Sequence, residues 1–375
     1  MVRVLNIFNR CLPLAGMFPN LVGSWRTLPV FGVKTALERH SRNHETTTPL
    51  EPTPSDVVYT ENKLELRHYQ PRPEVQQNVP ILLVYAIINR PSILDFQPDR
   101  SVVQQFLDQG FDVFLLDWGA PSVLDAHLGL EDFVTRYLAN CVDVVTERTE
   151  ADALHLFGYC TGATLAAIFA ALYPQLVRTL GMLAPVLNFD VDGGIFDLWG
   201  REESYNPQHL VDTFGNAPGE WLAMEFSLVD PVEYHLARYL SLYEHIADEE
   251  FLSRFLRRLQ WGFDTVDVAG ELYTEFLVDL YRENRLMKGT LSVGGETIDL
   301  ETLEMPILDI IGMDDQFIPA EASLPFIEAV PSTDTTVIEY PADHVGLSTG
   351  EGAHTDLWPR VCEWFAARSE ASPNG

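Results

Sequence analysis

Residues 158–162 read Gly-Tyr-Cys-Thr-Gly, set between the apolar run Ala153–Phe157 and the alanine-rich segment Thr164–Leu172. A strand, a tight glycine-flanked turn and a helix in that order leave few folds open. The two glycines let strand and helix backbones approach closely, and the central residue sits on a strained turn with its side chain lifted above a sheet. A helix N-terminus behind a cysteine favours the thiolate and offers backbone N–H groups to an anion. The spacing predicts a nucleophile elbow with Cys160 as the nucleophile. The plainer alternative is a small buried cysteine in a glycine-rich turn.

The rest of the chain supports the elbow. Val79–Ile88 is a continuous apolar run, as expected for a strand buried on both faces. Ser101–Gln109 reads as a helix closed by Gly110, and Phe111–Leu116 as the next strand. Leu130–Glu147 has helical periodicity, Thr179–Ala184 is another buried strand, and Lys63–Tyr69 alternates like a strand. Strand logic returns at Met305–Gly312 and Thr336–Tyr340, and a helix over Thr355–Ala367 closes the unit. Such alternation implies right-handed crossovers and a mostly parallel sheet with helices on both faces. The pattern breaks over 188–290, which carries Phe189, Phe196, Trp199, Tyr205, Phe214, Trp221 and Phe226 and then helical runs. The expected division is a core of 56–187 and 291–368, an inserted helical cap over 188–290, a poorly ordered extension over 1–55 and a tail over 369–375.

Charge narrows the function. Of 375 residues, 24 are Lys or Arg and 55 Asp or Glu, a net charge of −31. Such a chain repels nucleic-acid phosphates and anionic lipid, so nucleic acid is excluded as a partner. The first fifty residues differ, with six basic and two acidic side chains. Acid spread thinly over every later segment suits very high salt, where a Debye length of about 3 Å at 1 M suppresses self-repulsion. A halophilic source is expected. The 46% apolar share excludes wholesale disorder. No run approaches the roughly 18 apolar residues of a membrane span. Cys11, Cys141, Cys160 and Cys362 are widely separated, without a CxxC pair or metal-ligand spacing, which argues for a reducing, cytoplasmic compartment and no bound metal. The apolar N-terminal run is broken by Asn6, Asn9 and Arg10 and makes a poor export signal.

A thiol nucleophile needs a base, and the base needs an orienting carboxylate. In this sheet logic both follow the nucleophile, on loops at strand C-termini, in the order Cys, Asp, His. Asp314 and Asp315 follow the strand that ends at Gly312, and His344 follows the strand that ends at Tyr340. Residues alone do not separate Asp314 from Asp315. His354, ten residues on, reads as a surface or capping histidine. The oxyanion donors are expected to be the backbone N–H groups of Thr161 and of Ile88, in the loop after the first long buried strand.

Taken together, the motifs resemble the catalytic subunit of a class III, two-component poly(3-hydroxyalkanoate) synthase of the haloarchaeal type, over roughly residues 53–365. The resemblance rests on Val84-Tyr85-Ala86-Ile87-Ile88-Asn89-Arg90 continuing to Ile93-Leu94-Asp95-Phe96-Gln97-Pro98, and on Val113-Phe114-Leu115-Leu116-Asp117-Trp118-Gly119. It rests further on the cysteine pentapeptide, on Trp261 with Phe263-Asp264, on Asp315-Gln316-Phe317-Ile318-Pro319 and on His344-Val345-Gly346. It implies an α/β-hydrolase fold, with Cys160, Asp315 and His344 in the places of the family's triad. Gln316 stands where the family usually has histidine, Ala163 where a third glycine is common, and Asp343 where a small residue often precedes the histidine. An acid at 343 is expected to raise the pKa of His344. The implied reaction polymerises (R)-3-hydroxyacyl-CoA, releasing CoA through an acyl-cysteine, with no cofactor beyond the thioester substrate. The resemblance further implies a growing polyhydroxyalkanoate chain, a granule surface, a PhaE-type partner subunit and, as an option, a homodimer.

Two other classes compete. A cysteine-nucleophile α/β-hydrolase (thioesterase, esterase or polymer depolymerase) would use the same triad with water as acceptor. A non-enzymatic granule-binding homologue would keep the fold and make no acyl-cysteine.

Overall fold

The computed structural model describes residues 53–72, 77–191 and 205–369. The N-terminal extension expected over 1–55 lies almost wholly outside the described residues, as do Phe196, Trp199 and most of the C-terminal tail.

Eight strands form one sheet: β1 Ser55–Glu61, β2 Leu64–Tyr69, β3 Ile81–Val84, β4 Val113–Asp117, β5 Leu154–Tyr159, β6 Val177–Leu183, β7 Ile307–Gly312 and β8 Thr335–Tyr340. Their order is β1-β2-β4-β3-β5-β6-β7-β8. The β1–β2 and β2–β4 pairs are antiparallel. Every other pair is parallel. The return from β4 to β3 marks a strand-order reversal beside β5, the place where an open α/β sheet leaves a crevice at its strand ends.

Alternate residues of the central strands feed two cores. Leu82 and Val84 of β3, Phe114 and Leu116 of β4, and Leu154 and Leu156 of β5 enter one. Ile81 and Leu83, Val113 and Leu115, and Phe157 and Tyr159 enter the other. On the first face lie α2 (Ala139–Thr149) and α3 (Thr161–Leu172), and on the second α1 (Val102–Asp108) and the last helix, Trp358–Ala366. Side chains that alternate between two apolar faces explain why these strands read as unbroken hydrophobic runs. Ser101 caps α1 by accepting from the Gln104 N–H at 3.0 Å, and Gly110 ends it with φ 81°.

Two polar groups sit deep in this scaffold. His155 of β5 is fully buried, with its nitrogens 2.8 Å from the Thr179 and Ser369 hydroxyls. Burial, assisted by Arg178 and Arg368, pushes its pKa down to about 3, so it is neutral in the fold. Asp309 of β7 is also fully buried.

The strand expected over Val79–Ile88 is hydrogen-bonded only over Ile81–Val84. Tyr85, Ala86 and Ile87 stay buried in the loop beyond it, which accounts for the longer apolar run. Between β6 and β7 the chain leaves the sheet for helices that include Pro207–Phe214, Gly219–Ser227 and Gly270–Glu275. Asp230–Gln260 lies outside the compact unit formed by Pro52–Val229 and Trp261–Gly375. Taken by itself, it holds the helix Arg238–Glu244 and most of Glu249–Phe263, and it buries Leu242 and Leu252. Among the described residues no helix is long and apolar enough to cross a membrane.

Candidate active site

Strand β5 ends at Tyr159, and α3 begins at Thr161. Cys160 makes the turn between them with φ 55° and ψ −125°. A positive φ at a residue with a Cβ costs on the order of 1–3 kcal/mol and persists only where the surroundings enforce it. Here they do. The Cys160 N–H donates to the Leu183 carbonyl at 2.9 Å, and the Cys160 carbonyl accepts from the Ala163 N–H at 2.9 Å. A Cβ on Gly158 would lie 2.3 Å from Cα of Ala163, and one on Gly162 would lie 2.3 Å from the Val84 carbonyl oxygen. Both glycines of the pentapeptide are thus dictated by close backbone approach, as its spacing predicts.

The other two residues arrive from the ends of β7 and β8. Asp315 is 7% exposed, whereas Asp314 faces solvent. One Asp315 oxygen, Oδ1, accepts from the N–H groups of Phe317 (2.8 Å) and Ile318 (3.0 Å). The other, Oδ2, lies 2.6 Å from Nδ1 of His344. With Nδ1 engaged, Nε2 is the nitrogen left for Cys160, which lies close enough to raise the pKa of the imidazole. The three residues predicted from the chain order therefore meet. Burial opposes a charge on His344, yet the adjacent Asp315 carboxylate and Cys160 together hold its pKa well above the usual imidazole value. Asp343, the neighbouring acid, is exposed, and its carboxylate accepts from the Gly346 N–H. Of the groups that raise the pKa of His344, Asp315 contributes most, and it is in direct contact.

The loop after β3 is tied to the elbow. The Ile87 N–H donates to Thr161 Oγ1 at 3.1 Å, and the indoles of Trp118 and Trp261 donate to the carbonyls of Tyr85 and Arg90, each at 2.8 Å. Ile88 follows directly on the anchored Ile87. His354 is not at the surface as expected. It is 7% exposed, and its Nε2 lies 2.8 Å from the Ser348 carbonyl. Of the aromatics in the insertion, Phe189 is buried and packs on Tyr281 at 4.8 Å. The ring of Phe226 meets Phe317 at 5.5 Å, and Phe317 in turn presents an edge to His344 at 5.7 Å. Phe214 and Trp221 are instead exposed. Cys141 and Cys362 are fully buried, and burial raises the pKa of each thiol. Among the described residues no cluster of three His, Cys, Asp or Glu side chains is placed to hold a metal ion.

Comparison with known proteins now decides the family. A family model for the α/β-hydrolase fold matches residues 79–351, and one for the N-terminus of poly-beta-hydroxybutyrate polymerase (PhaC) matches 38–106. The chain is 36% identical to the poly(3-hydroxyalkanoate) polymerase subunit PhaC of a Synechocystis species, across 84% of its own length and 85% of that protein. It belongs to the PhaC family. Identity rises to 54% with the PhaC subunit of Haloferax mediterranei and 48% with that of Haloarcula marismortui, over 85% of this chain in both cases. The haloarchaeal type read from the acidic composition is therefore supported. The matched region spans 65% of the Haloferax PhaC and 69% of the Haloarcula PhaC. The fold is also that of the monoacylglycerol lipase of Paleococcus ferrophilus, at TM-score 0.53 and 15% identity, covering 82% of this chain and all of that one. Two residues of the motifs quoted above hold local structure: Asp95 accepts from Thr53 and Ser101, and Asp117 from the Gly119 N–H.

Proposed function

We propose that the chain is a catalytic subunit that polymerises (R)-3-hydroxyacyl-CoA through an acyl-Cys160 intermediate. The observation that carries this reading is the 2.6 Å contact of Asp315 Oδ2 with Nδ1 of His344, with Cys160 near the same imidazole on a strained elbow, in a chain of the PhaC family. An imidazole that holds its proton this firmly faces Cys160 as imidazolium, the partner a thiolate needs. The thiolate attacks the thioester carbonyl, and the N–H groups of Thr161 and Ile88 are assigned to the oxyanion. Collapse expels CoA, which takes the His344 proton and leaves an acyl-cysteine and a neutral imidazole. The imidazole then accepts the proton of a second 3-hydroxyl as that oxygen attacks the acyl-cysteine, and the sulfur leaves. Asp315 keeps Nδ1 protonated throughout, so Nε2 does the proton transfer. The thioester is substrate, and no cofactor is invoked. A growing polyester, a granule surface, a PhaE-type partner and a second copy of the chain belong to the same reading, which places the protein in the cytoplasm at granules.

The test is incubation of the full chain, alone and with a co-expressed PhaE-type subunit, with 3-hydroxybutyryl-CoA in high salt. Insoluble polyester with stoichiometric CoA supports the proposal. Free hydroxy acid with CoA indicates a hydrolase. Polymer formation that survives Cys160→Ala refutes the acyl-cysteine.

A further inference from the structure

Tyr159, the residue before the nucleophile, makes two contacts that the triad does not account for. Its phenol O–H donates to the backbone carbonyl of His344 at 2.8 Å, and its ring stacks on the His344 imidazole with centroids 5.2 Å apart and planes 27° from parallel. The side chain is 2% exposed. A buried phenol needs a hydrogen-bond partner, and here the partner is the backbone of the base itself.

The sheet explains why such a tie is useful. His344 follows β8, which pairs only with β7 and lies at the sheet edge, three strands from β5. Three strand spacings amount to roughly 14 Å, so the loop bearing His344 must fold back over the sheet to reach Cys160. Its first half is held by the end of β7: the Met313 N–H donates to the Tyr340 carbonyl, and the Asp314 N–H to the Ala342 carbonyl. The carbonyl of His344 is held from the other side, by β5. One strand end thus carries the nucleophile and, one residue earlier, the clamp on its base. The ring of Tyr159 is braced by Tyr85, edge-on at 5.6 Å, while Phe317 meets the imidazole in a T-shaped contact at 5.7 Å. A stacked aromatic face also favours the imidazolium over the neutral ring.

We infer that Tyr159 is a positioning residue for His344, whose phenol and ring together fix the imidazole at the distance and angle that Cys160 requires. The inference rests on His344 acting on Cys160, as in the reading above, but it does not depend on the acyl acceptor. Nothing in the pentapeptide signals it, because the contact joins residues 185 positions apart.

The test uses the full chain and two readouts. Alkylation of Cys160 by iodoacetamide, followed by peptide mass spectrometry across pH 5–9, reports the Cys160–His344 pair without any polymer chemistry. CoA release from 3-hydroxybutyryl-CoA reports turnover. Tyr159→Phe keeps the stack and removes the hydroxyl: a roughly tenfold lower kcat, a KM within twofold, and an alkylation profile displaced toward that of an isolated thiol are expected. Tyr159→Leu removes both contacts and is expected to lower kcat roughly a hundredfold, with a larger displacement. Phe317→Leu, which leaves β5 untouched, is expected to move the profile less than Tyr159→Phe. Should Tyr159→Phe retain wild-type kcat and an unchanged alkylation profile, the inference is overturned. It is equally overturned if the rate falls while the profile does not move, since that is the mark of a merely structural residue. A displaced profile in a protein that forms no polymer would leave this inference standing and sink the synthase reading instead.

Discussion

Asp309 offers the sharpest quantitative test of the scaffold that delivers the acid to the site. It lies in the middle of β7, six residues before Asp315, paired in the sheet with Met182 and Val337. It is fully buried, and neither carboxylate oxygen meets a hydrogen-bond partner in good geometry. Burial therefore drives its pKa from 3.8 to about 7, against a smaller opposing pull from the Ser323 hydroxyl. Between those values the folded chain keeps a proton that the unfolded chain has released. Stability consequently falls as pH rises through this window and is level above it. Three pH units at ~1.4 kcal/mol each give about 4 kcal/mol in total, of which about 3 kcal/mol is lost between pH 5 and pH 8. Asp309→Asn keeps the shape and abolishes the titration. The measurement is urea unfolding of both proteins at pH 5, 6, 7 and 8 in constant high salt, which does not screen a buried group. The stability advantage of the variant over the parent is expected to grow by about 3 kcal/mol across that range. An advantage that stays flat from pH 5 to pH 8 would refute the reasoning, whatever its absolute size, because only the ionisation of Asp309 predicts a slope.

Two further outcomes follow from the site. Asp315→Asn leaves the cavity filled but lets Nδ1 of His344 face an amide, so kcat should drop by roughly 10⁴-fold, as for a triad whose base is held in the wrong tautomer; CoA release measures it. Gly162→Ala places a methyl 2.3 Å from the Val84 carbonyl oxygen and 2.5 Å from that of Tyr85. It should lower the urea midpoint and abolish CoA release together, since the clash is with backbone that cannot rotate away.

The parallel strands and the order of the triad are legible because both are local or ordinal facts. A buried strand shows as an apolar run, and a strand-end catalytic residue shows as a polar group just after one. What escapes is tertiary. β1 is missed because its residues are mostly half-exposed, so it lacks a hydrophobic face, and only the left-handed Asn62 at φ 53° marks the hairpin with β2. Leu130–Glu147 reads as one helix, whereas residues 132–138 are wound as a π-helix before α2 begins at Ala139. His354 looks like a capping residue because its partners, Ser348 and Gln105, are brought to it by the fold. The clamp of Tyr159 on His344 and the burial of His155 and Asp309 are invisible for the same reason. A side chain that finds its partner across the sheet leaves no periodicity.

The geometry at Cys160 also bears on transfer against hydrolysis. A triad of this shape on this fold is shared with lipases, so it cannot by itself select the acyl acceptor. Two features of the chain bear on that selection. In the proposed reaction a thioester link to Cys160 would stay reactive toward an alcohol, which suits exchange between a thiol and a hydroxyl. Around the base the chain places Tyr159 on one contact of His344 and Phe317 on another, with Phe226 behind Phe317 and Phe189 on Tyr281. Tyr281 is near enough for its hydroxyl to feel the charge of Cys160. Tyr159 and Phe317 give the imidazole apolar neighbours on which a water molecule finds few partners, whereas a hydroxyl carried on an acyl chain brings its own hydrophobic contacts. In the proposed reaction the acceptor would be chosen by which hydroxyl can be held beside Nε2 of His344, and an apolar wall there would favour the one attached to carbon.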